Sequence, residues 1–408
     1  MRILLICLLF PFIASAQGFQ VNLQGQVQQG MASAGTALMQ DASSLFFNPG
    51  GASFVNRNEI SIGTTFTIAK GAFLEHNTFE TAKTTSPVST PFTAYGLFQI
   101  KDSSRLKLGL AVYTPFGSTV QWEDGWTGRF ALTRLRLLSI FVQPTVSYRI
   151  TDKIGIGAGF VYSYGSVNLQ RDLPVTQGTT ENSDGYGRVE LDGTGQGFGY
   201  NVGIYVEPIP QLSIGLTYRS QVNMKLNSGT ATFSVPTSLE ENFPDGDFVS
   251  ELPLPQVATL GFGVHPNSKL DLALDINYVG WKAYDTLAFD YANNTESLVD
   301  TKSARLYENI FAFRLGGQYA LSKSLRIRAG VGYGISPVQD GYVTPETPDA
   351  NRFNYTLGLG YNFGDHFTTD ISMLYTTATR EDTNLETNLS GTFKVHVFAP
   401  GISINYKF

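Results

Sequence analysis

Residues 353–363 read FNYTLGLGYNF. Phe353, Tyr355, Leu357, Leu359, Tyr361 and Phe363 take every second place, while Asn354, Thr356, Gly358, Gly360 and Asn362 take the places between. Alternation with period two belongs to an extended strand, because a helix repeats every 3.6 residues. One face of this strand is large and apolar, and the other is small or polar. In a membrane-spanning barrel the apolar face meets lipid and the small face lines the lumen.

The pattern recurs along the chain from residue 58 onward. Leu270, Leu272, Leu274, Ile276 and Tyr278 alternate with Asp271, Ala273, Asp275 and Asn277. Leu325, Ile327, Ala329, Val331, Tyr333 and Ile335 alternate with Arg326, Arg328, Gly330, Gly332 and Gly334. Arg326 and Arg328 settle which face is which, since an arginine at mid-depth on the lipid side costs about 2–4 kcal/mol. Short connections near 102–104, 151–153, 207–211, 265–269, 321–323 and 363–366 alternate with long ones near 71–90, 117–133, 171–195, 226–255, 285–306, 337–352 and 380–391. Six plus seven connections predict fourteen strands. An even count, with short turns at one rim and long loops at the other, describes an outer-membrane barrel. The last strand carries Ile402, Ile404, Tyr406 and a terminal Phe408, whereas Phe393, Val395 and Val397 have the opposite parity. That change predicts a bulge or kink near Ala399-Pro400-Gly401.

Composition agrees. Charged residues make up 15% of the 408, against roughly 25% in soluble domains. Aromatic residues reach 13%, and glycines number 42. Mean hydropathy is −0.05, and no run after residue 16 approaches the roughly 18 apolar residues of a spanning helix. A helical membrane protein is excluded. A net charge of −6 gives no basic footprint for nucleic acid. His76, His265, His366 and His396 are far apart in sequence, and no nucleophile-and-base motif or cofactor loop is present, so neither catalysis nor a cofactor is expected. Residues 1–16, MRILLICLLFPFIASA, place Arg2 before an apolar core and end on Ala-Ser-Ala, which predicts a cleaved secretory signal peptide. Cys7, the single cysteine, lies inside it, so the mature chain is expected to be free of thiol chemistry.

Residues 17–57 do not follow the strand pattern. They are rich in Gln, Ala, Ser and Gly, and Gly30–Gln40 reads as a short helix of small residues. Within DASSLFFNPGGASF, residues 41–54, Phe46 and Phe47 meet the Asn48-Pro49-Gly50 breaker. Such a bend needs burial for its aromatic pair. The segment therefore reads as a plug folded into the lumen, with the barrel proper at 58–408.

These residues carry a resemblance. The chain resembles the FadL family of outer-membrane transporters of long-chain fatty acids and hydrocarbons, over essentially its whole mature length. The likeness runs through Gly18-Phe19-Gln20, DASSLFFNPGGAS, YTPFG at 113–117, WEDGWTGR at 122–129, YRITD at 148–152, GAGF at 157–160, ELPLP at 251–255, Trp281, SPVQD at 336–340 and PDANR at 348–352. Gly50 stands where the family's plug has alanine. The resemblance implies an all-β fold: a fourteen-stranded antiparallel transmembrane barrel with an N-terminal plug, in the outer membrane of a Gram-negative bacterium. It also implies passive uptake of fatty acids, or else of aromatic or aliphatic hydrocarbons, from an outer groove to an internal site. Plug movement would then release the ligand sideways at a kinked third strand.

Candidate residues follow. Pro115 cannot donate to a ladder, Gly117 permits a bend, and with Phe116 they mark the expected kink; Gly117 matches the family's. The connection at 226–255 carries Phe233, Val235, Leu239, Phe243, Phe248 and Leu252, and that at 171–195 carries Leu173 and Val175. Apolar side chains on outer loops suggest a binding surface, and the resemblance makes the two loops the capture groove. It also aligns Arg171, and less closely Lys302, with basic ligands of a carboxylate. Phe46, Phe47, Asn48, Pro49 and Gly50 would form the moving end of the plug. Trp122 and Trp126 read as interfacial anchors. A diffusion porin is the rival reading and would lack the plug. Outer-membrane lipid and lipopolysaccharide are the expected surroundings. A closed barrel needs no partner subunit, so a monomer is expected.

Overall fold

A computed structural model describes residues 18–101, 104–176 and 186–408. The expected signal peptide and Cys7 lie outside these residues. Strand segments join into one sheet of twenty-one, which line up as the fourteen strands of a closed antiparallel wall. Several are interrupted and are numbered here as single strands. β1 comprises Glu59–Thr65 and Ile68–Glu75, β2 Thr81–Lys83 and Phe92–Gln99, and β3 Leu106–Tyr113 and Gly117–Gln121. β4 is Arg134–Thr151, β5 Ile154–Thr176 and β6 Tyr186–Ile209. β7 comprises Leu212–Arg219 and Val222–Ser234, β8 Gly246–Leu254 and Val257–Asn267, β9 Leu270–Val279 and Thr286–Tyr291, and β10 Thr301–Ala304 and Ile310–Ala320. β11 is Leu325–Gly334, β12 Arg352–Phe363, β13 Phe367–Thr383 and β14 Ser390–Lys407. Each pairs with its neighbour, and β14 closes on β1 from Glu59 opposite Lys407 to Glu75 opposite Gly391.

The alternation behaves as lipid and lumen demand. Leu357 is 64% exposed on the outer face, while Thr356 is 4% exposed on the inner. Arg328 turns inward and pairs with Asp370 at 2.7 Å, both almost fully enclosed. β5 and β6 are 23 and 24 residues long, twice what a bilayer needs, so they rise well beyond the membrane. Most of the long connections are accordingly shorter than predicted, though the one at 335–351 is not. Phe233, Phe248 and Leu252 lie on strands, and only Val235, Leu239 and Phe243 lie in the turn at 235–245.

Three expectations change. Gly30–Gln40 is a run of turns, and the helix is Gln26–Gln29; Ala32 and Ser33 take positive φ, which a helix does not allow. β14 has no bulge at Ala399-Pro400-Gly401: its register to β13 is unbroken. Phe393, Val395 and Val397 face inward like Ser403 and Asn405, because the outer half of the lumen is apolar. Trp122 and Trp126 are not interfacial anchors. They are 2% and 4% exposed and stack on each other at 4.3 Å beneath the outer loops.

Candidate functional site

The N-terminal segment is held from many sides by inward-facing groups. The Gln26 amide reaches Thr64 O on β1 (3.2 Å), and Gln29 reaches Ala399 O on β14 (2.9 Å). Asp275 on β9 accepts from the Gly35 and Thr36 amides at 3.0 and 3.1 Å. Ala32 N–H donates to Thr356 on β12, and Asn48 donates to Ile204 O on β6. Inward glycines let the backbones meet. A Cβ on Gly157 would lie 2.2 Å from Pro49 O, and one on Gly316 would lie 2.4 Å from Met31 O. Asn48-Pro49-Gly50 thus rests against β5 and β6. A Cβ on Gly50 would lie 2.5 Å from Gly203 O. Phe46 packs edge-on against Phe47 and Tyr113, with the Arg219 guanidinium 4.3 Å from its ring.

Above this segment lies an apolar cavity with about 70 Å³ of free space. Leu135, Leu137, Leu169, Met224, Leu254 and Phe289 line it, and Phe19 and Phe116 reach into it from the N-terminal segment and β3. Phe19 is enclosed by Trp281 at 4.8 Å, Tyr284 at 5.5 Å and Phe116 at 6.1 Å. A separate polar chamber contains Gln20, Asn201, Asp275, Asn277, Arg219 and Arg314, and several buried polar atoms of Asn201, Asp275 and Asn277 face it without a protein partner. Such surroundings hold water.

The wall is interrupted beside the cavity. The β2–β3 ladder ends at Thr93 opposite Tyr113. On the other side of β3, Tyr113 faces Phe141 but Gly117 faces Leu138, so Thr114-Pro115-Phe116 oppose two residues and bulge. The N-terminal segment takes up the freed groups: Val21 N–H donates to Pro115 O at 2.8 Å, and Gly117 N–H donates to Phe19 O at 3.2 Å. β2 and β3 rejoin at the single bridge between Thr84 and Trp122. Gly117, Thr119, Ser86, Val88 and Pro91 border the opening between, which shares Phe19, Phe116, Leu137 and Leu138 with the cavity.

Charge is sparse in the cavity, while Arg136, Glu346, Asp349 and Arg352 border the opening. Glu346 is the one charged side chain lining the cavity among the described residues, and Arg305 pairs with it at 2.6 Å. Burial works against the Arg305 charge, but Glu346, then Tyr284 and Tyr307, outweigh it and hold the guanidinium above its ordinary pKa. Sequence reasoning missed both residues; the only signal was a basic residue three places from Lys302. Lys302 is exposed on β10, and neither it nor Arg171 at the outer end of β5 lines the cavity. Leu173, Phe248, Phe289 and Tyr291 form a closed cluster with Phe233, Val235 and Phe243 against it. These side chains pack on one another, and Phe289 also lines the cavity below.

One further constellation escaped the sequence. Ser213 Oγ lies 3.3 Å from His265 Nε2, whose Nδ1 lies 2.7 Å from Asp271. The order resembles a hydrolase triad. The Ser213 hydroxyl is fully buried and donates to Ala37 O at 2.7 Å, so it serves as a tie between wall and segment. Strand register alone brings the three together.

Residues 7–408 match the family described as outer membrane protein transport protein (OMPP1/FadL/TodX). The chain is 21% identical to the long-chain fatty acid transport protein of Escherichia coli, over 89% of this chain and 87% of the relative. A crystal structure of a Pseudomonas aeruginosa FadL homologue superposes with a TM-score of 0.83 at 18% identity, over 96% of this chain and 100% of that one. The Ralstonia pickettii toluene transporter TbuX gives 0.72 at 17% identity, over 94% and 98%. These likenesses are of fold.

Proposed function

The chain belongs to the outer membrane protein transport protein (OMPP1/FadL/TodX) family, and from that premise we propose that it is a passive uptake channel for hydrophobic molecules, in the first place long-chain fatty acids. It is a multi-pass β-barrel of the Gram-negative outer membrane. Residues 17–57 act as its plug, and the protein works as a monomer. A ligand enters past the Phe233–Phe248 cluster, rests in the apolar cavity, and leaves through the β2–β3 opening when Phe19 and the strand bridge at 115–117 give way. The observation that carries this reading is that cavity and wall opening share residues, so an apolar solute moves between them without crossing the polar plug. Desolvation favours that route by about 25 cal/mol for each Å² of apolar surface kept from water.

Hydrocarbon uptake is the second reading, and the electrostatics favour it. The cavity offers a carboxylate ligand only Glu346, whose partner Arg305 is already engaged. A fatty acid would have to take Arg305 from Glu346. Arg171 and Lys302 would then act only at the entrance. Uptake of radiolabelled oleate and of toluene by cells lacking their own transporters separates the two. Oleate uptake that falls in a Gly117→Val variant supports the first reading, and toluene uptake alone supports the second. Uptake of neither by a properly inserted protein removes both.

A further inference from the structure

Outside the lumen, three lysines share one patch of the outward face. Lys70 and Ala72 lie on β1, Lys83 on β2 and Lys394 on β14. Ala72 pairs with Lys83 on one side and with Lys394 on the other, and Lys70 pairs with His396. Their inward neighbours Ala69, Gly71, Thr84, Val395 and Val397 border the internal opening, so the lysines point outward. All three are exposed. Lys83 and Lys394 stand two strand spacings apart, about 10 Å, and Lys70 is about 7 Å along from Ala72. Ala72 leaves a shallow floor between flexible ammonium arms.

Their height is set by the apolar belt. Large outward side chains run from Ile60 to Ile68 on β1, from Phe367 to Tyr375 on β13 and from Tyr406 to Phe398 on β14. Each run covers roughly 20 Å of height after tilt, close to the ≈25 Å of an outer-membrane belt. The next outward positions are Lys70, Thr377 and His396, with Lys394 beyond. The cluster thus sits at the outer boundary of the hydrocarbon, where lipid headgroups begin. Comparable cations elsewhere face acids: Arg134 pairs with Glu190 at 2.8 Å, and Lys225 is opposite Glu251. None of the three lysines carries an ion pair among the described residues. Acids in this part of the wall are turned to other partners: Glu381 is directed at His76 at 3.9 Å, and Glu123 accepts from the Lys83 backbone N–H.

We infer that Lys70, Lys83 and Lys394 form a seat for the phosphate of an outer-leaflet glycolipid, the lipid A part of lipopolysaccharide. Three cations at a membrane surface supply about 100-fold in affinity. The site lies on β14, β1 and β2, the last of which borders the β2–β3 opening, so a bound lipid stands beside the exit without entering it.

The test is native mass spectrometry of the detergent-solubilised barrel with diphosphoryl lipid A, its dephosphorylated form, and inorganic phosphate as competitor. The wild type should retain diphosphoryl lipid A about 100-fold better than a Lys70→Ala/Lys83→Ala/Lys394→Ala variant. Removing the phosphates should cost as much. A Lys153→Ala/Lys269→Ala/Lys323→Ala variant, altered at the short turns of the opposite rim, should bind like the wild type. Folding is checked by heat-modifiable gel mobility, and Lys394→Gln alone should still lose about fivefold. Equal retention by wild type and triple variant overturns the assignment, as does indifference to the lipid phosphates. Full displacement by millimolar inorganic phosphate overturns the lipid as the natural occupant.

Discussion

Gly157 is a wall residue chosen by what lies against it. Any side chain there meets the Pro49 carbonyl, so Gly157→Val should destabilise the barrel by about 1–3 kcal/mol through overpacking. Gly332→Ala, whose Cβ finds nothing nearer than 3.4 Å, should be neutral; urea unfolding of both variants checks the contrast. The Arg305–Glu346 pair obeys a different rule. Arg305→Leu leaves a buried carboxylate without its partner and should cost about 3–5 kcal/mol, whereas the Arg305→Leu/Glu346→Leu double variant should recover much of it. Asp349 adds a pH dependence. Burial raises its carboxyl from 3.8 to about 6, with Arg352 and the Gly18 N–H only partly opposing. A folded pKa above the unfolded one means that the folded form binds the proton more tightly. The stabilising contribution is therefore complete below about pH 4 and is lost as pH rises through about 6. Urea-unfolding stability should fall between pH 4 and 7, and Asp349→Asn should flatten that profile.

Among elements, β3 and β14 teach opposite lessons. In β3 the Pro115–Gly117 signal was local, because a missing donor and a missing Cβ weaken a ladder wherever they occur. The bulge and the broken β2 pairing appear there. A Cβ on Gly117 would lie 3.1 Å from Leu137 O, tight but its one contact within 4 Å, so Gly117→Val should still insert and fold, at a small cost in stability. It should narrow the opening and reduce hydrophobic uptake about tenfold. Deleting residues 18–47 should instead let small polar solutes leak, as measured by liposome swelling; an unchanged rate would remove the plug reading. In β14 the same kind of local reading failed. Phe393, Val395 and Val397 looked like a switch of face, yet they keep inward parity. Their environment changed: the lumen is polar near Asn405 and apolar near Val395. The supposed helix at 30–40 failed for a related reason. Its small residues permit close approach to the backbones of Gly316, Gly330 and Gly358, which is a tertiary need and not a helical propensity.

For the whole molecule, lipid outside and a filled lumen inside set two hydropathic rules at once. Leu357→Arg, on the exposed outer face, should cost about 2–4 kcal/mol when unfolding is measured in bilayers. A conservative inward change such as Thr356→Ser should cost far less.

The sequence by itself determined the strand pattern, the count of fourteen, the outward face and the odd status of the N-terminal segment. Each of these is written in period-two alternation or in the spacing of turns, which are local properties. Only the tertiary structure decided which side chains meet across the lumen. Arg305 found Glu346, Ser213 found His265 and Asp271, and three lysines on separate strands met around Ala72. Those encounters depend on register and barrel closure, where residues distant in the chain become neighbours through backbone pairing that no local window records.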